Sequence, residues 1–228
     1  LLAADAELAA RVALALAAGG RPVVPALAEA LVTTSELDLR RQLVSALGAT
    51  RDRRAAAPLI AAYEDVRTRA YAATALGELG ERGVRDFLVR RLVDEPYTGV
   101  RAAVAHSLGR LGDRRALPVL SEAFRAEMEP EVTAAIAWSL VQLGVGRAVS
   151  RGAVLAPRAA KAAWLVFDRS GASPVTVAVQ STGAPSRVFE VDRSVPRDAY
   201  RVDLSAAEGS VKVMAPGATV LFWQEGRP

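Results

Sequence analysis

The sequence predicts an α-solenoid of stacked helical hairpins followed by a small antiparallel β-sandwich or barrel domain. Three observations carry that expectation. A short phrase recurs about every 30 residues through the first two thirds of the chain. Within each copy the apolar residues follow a helical period, and after Leu143 they alternate with a period of two instead. The expected organisation is a helical array over 1–145, a linker over 146–161 and an all-β domain over 162–228.

The repeats align on a Leu that closes each copy. The five anchors are Leu16, Leu47, Leu76, Leu108 and Leu140, 29 to 32 residues apart. The segments ending there read "LAARVALAL", "LRRQLVSAL", "TRAYAATAL", "VRAAVAHSL" and "VTAAIAWSL". Eight positions before the anchors stand Leu8, Leu39, Thr68, Val100 and Val132. Four before stand Val12, Leu43, Ala72, Val104 and Ile136, and three after the later anchors stand Leu79, Leu111 and Leu143. Steps of four, four and three fall on one helical face, so each copy supplies one amphipathic helix.

Glycine follows most anchors and is suited to end a helix, because it takes the left-handed conformation without steric cost. Asp52 and Asp113 come next, where a new helix needs an N-cap. The second helix of each unit is short, with Pro25, Pro58 and Pro118 in its first turns, where a missing N–H is tolerated. One unit is therefore helix, tight turn, helix. It cannot bury both apolar stripes alone, and stacking on its neighbours solves that.

Beyond Leu143, "GVGRAVSRGAVLAPRAAK" reads as a linker. Six short strands are expected after it: "WLVF", "VTVAVQ", "RVFEVD", "YRVDLS", "SVKVMA" and "VLFW", separated by Gly-, Pro- and Ser-rich breaks. "WLVF" and "VLFW" are apolar on both faces, the pattern of a strand covered on both sides.

The stretch Val100 to Leu120, "VRAAVAHSLGRLGDRRALPVL", resembles a HEAT-like repeat of the short bacterial type named after phycobilisome lyase subunits. The resemblance spans roughly residues 5–145. In that family an Arg seven positions before the anchor pairs with an Asp in the turn between a repeat's helices. The matching residues are Arg40, Arg69 and Arg101, with Asp38, Asp65 and Asp94 in the turns, so the resemblance implies a structural ladder that stops at Thr133. It also implies a concave surface lined by the anchor helices. Their outward positions are Gln42, Ser45, Tyr71, Thr74, Glu78, His106, Arg110, Trp138 and Gln142. This mixed polar and aromatic row has the composition of a protein-contact surface. Trp138 can equally be read as packing against a neighbouring repeat, and Tyr71 is better read that way.

Composition narrows the chemistry. The 228 residues are 51% hydrophobic, carry a formal net charge of +4, and include no Cys and one His, His106. Thiolate nucleophiles, disulfides and Cys-based metal sites are excluded. One imidazole is too few for a zinc or iron site. Residues 1–150 hold 19 basic and 18 acidic side chains, so no clustered basic footprint shows in the linear order. No Walker-type loop or Gly-x-Ser-x-Gly elbow occurs, "GVGRAV" lacks the third glycine of a dinucleotide fingerprint, and "EMEPE" reads as a solvated loop. No apolar run reaches the ~20 residues of a membrane span. The opening Leu is expected to follow an upstream segment, and the compartment stays open between bacterial cytoplasm and cell envelope. The expected function is a non-enzymatic scaffold or adaptor that holds a protein partner, within a larger assembly, on its concave face. The β domain would serve as cap or second contact. No catalytic residue, cofactor, metal or specific nucleic acid is expected. A bilin lyase-type chaperone-enzyme follows from the resemblance alone as an alternative. A DNA-binding HEAT-like protein is the third reading, and it would need a cationic groove.

Overall fold

A computed structural model describes residues 23–148 and, beyond them, 154–155, 162–167, 175–181, 187–191, 199–203, 211–214 and 218–223. The first repeat of the sequence, anchored at Leu16, lies outside the described residues. The chain divides into two compact units, Leu1–Val132 and Thr133–Pro228. Among the described residues the helices are α1 (Val23–Thr33), α2 (Leu37–Ala49), α3 (Ala56–Tyr63), α4 (Arg69–Leu79), α5 (Arg85–Asp94), α6 (Thr98–Leu111), α7 (Leu117–Ala126) and α8 (Pro130–Gln142). The longer α2, α4, α6 and α8 carry the anchors.

In the first unit α2 packs on α4 and α4 on α6, while α3 and α5 lie against α4 and α6. Anchor helices thus form one layer and short helices a second. Burial follows the anchor register: Leu47, Leu76 and Leu108 are fully buried, as are Ala72 and Val104, with Leu43, Leu79 and Leu111 nearly so. Covering one such Leu stabilises by about 1.5–3 kcal/mol, which is why a stripe of three per helix is enough to align it. In the second unit Ile136, Leu140 and Leu143 keep the same register and are buried.

The post-anchor glycines divide into two kinds. Gly48 and Gly77, directly after the anchors, do not end their helices; they lie inside α2 and α4. A Cβ on Gly48 would stand 2.8 Å from the Ala75 Cα, and one on Gly77 2.7 Å from the Ser107 Cα. They are sites of close helix approach, and the Ser107 hydroxyl donates across that contact to the Ala73 carbonyl at 2.7 Å. The chain turns four residues after each anchor, at Arg51, Gly80, Gly112 and Gly144, with φ of 51°, 70°, 65° and 82°. Arg51 takes the left-handed conformation that glycine supplies in the other units.

Each short helix after α2, α4 and α6 starts through a single 3-10 turn: Arg53–Ala55, Arg82–Val84 and Arg114–Ala116. Asp52 and Asp113 cap these turns by accepting from the Arg54 and Arg115 backbone N–H groups at 3.0 and 3.1 Å. Glu81 does the same for Gly83 at 3.0 Å, in a unit whose sequence lacks the Asp.

The second unit also holds strands β1 (Arg147–Ala148), β2 (Val154–Leu155), β3 (Ala162–Phe167), β4 (Val175–Ser181), β5 (Arg187–Val191), β6 (Tyr200–Asp203), β7 (Val211–Met214) and β8 (Ala218–Trp223). They pair antiparallel in two sheets, ordered β1-β8-β3-β6 and β2-β7-β4-β5. β1 and β2 fall in the segment read as a linker from its glycines. The two doubly apolar strands, β3 and β8, are the central pair of the first sheet, with Trp164 opposite Leu221. Leu165 and Val166 are consecutive, so they point to opposite faces, and both are buried.

Candidate functional site: the face of the anchor helices

The ladder arginines stitch successive turns of the first unit. Arg40 donates to the Leu31 and Thr34 carbonyls at 2.8 and 3.3 Å and stands 3.6 Å from Asp65. Arg69 donates to the Tyr63 and Glu64 carbonyls at 2.9 and 3.2 Å and stands 3.6 Å from Glu95. Arg101 donates to the Glu95 and Pro96 carbonyls at 3.1 and 3.0 Å and forks onto the Glu127 carboxylate at 3.0 and 3.2 Å. Each arginine therefore closes the end of the short helix before it and reaches the acid of the next turn.

Those acids are Asp65, Glu95 and Glu127, which corrects two of the expected partners. Asp38 instead pairs with Arg41 at 3.3 Å. Asp94 is exposed, the last residue of α5. Glu95 follows in an extended conformation that turns its side chain inward, where it is 2% exposed. It accepts from the Tyr63 hydroxyl at 2.7 Å. The Tyr63 ring meets Phe87 edge-on at 5.2 Å, with the Arg69 and Arg91 guanidinium groups 5.4 and 5.3 Å away. Burial, and then the Glu95 carboxylate, push the Tyr63 phenol above its ordinary value, so it remains a donor. Nothing in the linear sequence links Tyr63 to Glu95.

The outward row of the anchor helices is brought together over α2, α4 and α6. Gln42 and Ser45 line a groove of about 430 Å³ with Asp38, Arg41 and Tyr71. Tyr71 is 44% exposed, and the Arg41 guanidinium lies 5.2 Å from its ring. Tyr71 thus packs on the preceding repeat through Arg41 and also keeps an exposed face. Arg41 itself escaped the sequence reading; its signal was the i, i+3 pairing with Asp38. The Gln42 Oε1 is buried without a hydrogen-bond partner. The Ser45 and Thr74 hydroxyls donate to the Arg41 and Ala70 carbonyls of their own helices at 3.0 and 3.1 Å. Glu78 on α4 meets Arg110 on α6 at 3.4 Å, and His106 is half-buried. Trp138, half-buried, and Gln142, exposed, belong to the second unit. The groove offers a carboxylate, a guanidinium, an amide, a hydroxyl and an aromatic face, which is chemistry for binding. No cluster of His, Asp or Glu among the described residues could hold a metal ion, and no helix among them is long and apolar enough to cross a membrane.

Two family models match this region: "HEAT repeats" over residues 63–141 and "PBS lyase HEAT-like repeat" over residues 39–65. The array is built of HEAT-like repeats. Its fold is similar to a solved structure, the complex of CpcE and CpcF of phycocyanin lyase from Nostoc sp. PCC7120. The likeness has a TM-score of 0.51 at 23% identity, over 63% of this chain and 60% of that one. The match thus spans less than two thirds of the other chain. No curated protein matches this sequence. The match to a lyase-type repeat model corrects the expectation of a non-enzyme, since it points towards a lyase-type role, while the solved structure shows the fold alone. The HEAT-like array is suited to that role or to protein interaction.

Proposed function

We propose that the chain is a HEAT-like subunit of a lyase-type assembly that binds a protein partner on the face of α2, α4 and α6. The observation that carries this is the groove between α2 and α4. Tyr71 stands exposed there beside Arg41. Aromatic and Arg side chains are the usual anchors of interfaces. Glu78, His106 and Arg110 extend the same face. The similar solved structure is itself a complex, of CpcE with CpcF, which supports a protein partner. We read the two four-stranded sheets as the layers of a small β-sandwich that offers a second contact surface with Trp138 and Gln142 nearby in sequence. On this reading the boundary of the array lies near residue 145.

Quantitative pull-down from a native lysate tests the reading, with the wild-type chain and a Tyr71→Ala, Arg41→Ala variant side by side. Loss of a defined partner from the variant is expected. An identical partner list from both proteins would sink the proposal. The lyase arm is tested separately by mixing the captured assembly with phycocyanobilin: a shift in visible absorbance supports it, and an unchanged spectrum counts against it.

A further inference from the structure

The turns after α1, α3, α5 and α7 form one edge of the first unit, tied in order by Arg40–Asp65, Arg69–Glu95 and Arg101–Glu127. A further cross-repeat pair, Arg91–Glu64 at 2.9 Å, braces it. Val32, Val66, Val93, Tyr97 and Met128 lie along this edge and are 83%, 53%, 66%, 53% and 88% exposed. Apart from Tyr71, they are all the exposed large hydrophobic residues among the described ones. Exposed carboxylates of Glu36, Asp94 and Glu131 lie beside them, and the exposed Glu64 there is paired with Arg91.

The turns after α2, α4 and α6 form the opposite edge. Its acids are occupied, Asp113 also by Arg85 of the preceding repeat. Asp52 and Asp113 are buried and forked by Arg54 and Arg115, each with a closest contact of 2.7 Å, and Glu81 holds the Gly83 N–H. Exposed there are Arg51, Arg53, Arg82 and Arg114, and their guanidinium groups have no partner among the described residues.

We propose that the turn edge of one copy docks on the arginine edge of a second copy, head to tail. The two edges are complementary. Guanidinium groups meet carboxylates, and the arginine stems can cover the exposed apolar side chains. Both edges also carry about one station per repeat, set by the same helix-to-helix spacing of about 8–10 Å. A second copy of this array therefore matches the first in pitch over three repeats. The ladder holds the turn edge in place beforehand, which lowers the ordering cost of docking. A contact between two different edges is heterologous and can extend beyond a dimer. The groove between α2 and α4 abuts this edge, where Arg41 donates to the Arg67 carbonyl at 3.4 Å, and the variants below leave the groove residues unchanged.

Sedimentation velocity of the full chain, over a range of concentrations, tests this. At low salt, species larger than the monomer are expected to grow with concentration. They should be lost near 1 M salt, where the Debye length is about 3 Å. They should be lost in an arginine-edge variant (Arg51→Glu, Arg53→Glu, Arg82→Glu, Arg114→Glu) and in a turn-edge variant (Val66→Ser, Tyr97→Ser, Met128→Ser). Circular dichroism checks that both variants are folded. Each variant keeps one working edge, so their mixture should form a 1:1 dimer and nothing larger. A chain that stays monomeric at every concentration overturns the proposal. So does association that either edge variant leaves intact, or a mixture of variants that yields no dimer. Salt-sensitive retention of random duplex DNA by a monomeric wild type would assign the arginine edge to a polyanion instead.

Discussion

The two edges of the HEAT-like hairpins contain the same residue types, arginine and carboxylate, and use them differently. At the turn edge pairs join one repeat to the next, Arg40 to Asp65, Arg69 to Glu95 and Arg101 to Glu127, with Asp65 also forked by Arg67 of its own turn. At the arginine edge the acids serve their own turns, Asp52 with Arg54 and Asp113 with Arg115. Arg85 adds a crossing contact there, reaching Asp113 at 3.0 Å from the preceding repeat. The difference teaches where the array is held together. Cross-repeat pairs resist sliding of one hairpin on another, whereas local pairs fix only the path of the chain.

Acid should break both edges and give the largest effect. Arg67, through its side chain and then its backbone N–H, holds the Asp65 carboxyl below the usual carboxylate range. Burial alone would raise Glu127, but hydrogen bonds from Arg101 and from the Glu129 and Met128 N–H groups outweigh it and hold it low. The Arg115 guanidinium holds Asp113 well below the ordinary value. A depressed carboxylate contributes stability that is complete above its unfolded pKa, about 4, and is lost as pH falls through its folded value. The melting temperature should therefore fall steeply below about pH 4. Amide exchange should show the arginine edge at Asp113 persisting to lower pH than the turn edge. Simultaneous loss of protection at both edges would contradict the comparison.

Single substitutions sharpen it further. Glu95→Ala leaves Tyr63 and Arg69 without their buried partner and should cost about 3–5 kcal/mol in urea unfolding. Arg101→Ala, at the same edge, should cost about 1.5–3 kcal/mol through its lost charged hydrogen bonds. Arg53→Ala, at the other, should stay within about 0.5 kcal/mol; equal costs would erase the distinction. Asp52→Ala removes a local cap and should cost about 1 kcal/mol. Arg51→Gly, the smallest change, should stabilise by up to about 1 kcal/mol by relieving the left-handed conformation, less the backbone entropy of glycine.

Much of the helical architecture was legible because a helical period is a local property. Leu47, Leu76 and Leu108 are buried where the 31-, 29- and 32-residue spacing placed them. The four segments read from alternation and the two read as apolar on both faces became β3 to β8, while β1 and β2 are too short to show a period. The glycines were only half legible. Left-handed turns are encoded near Gly80 and Gly112, but Gly48 and Gly77 are explained by Ala75 and Ser107, which lie on the next anchor helix. The groove was legible as Gln42 and Ser45, and not as Arg41, whose place over Tyr71 depends on how α2 sits on α4.

The sequence by itself determined the repeat, its register and the helices that carry it, because apolar spacing and turn chemistry act within a few residues. Tertiary structure alone decided that Glu95 rather than Asp94 joins the ladder, since one residue past a helix end reverses the direction of a side chain. It also decided the charge pattern. Residues 1–150 are nearly neutral in linear order. Stacking gathers one kind of turn from every repeat along each edge, so charges some 30 residues apart in the chain become neighbours.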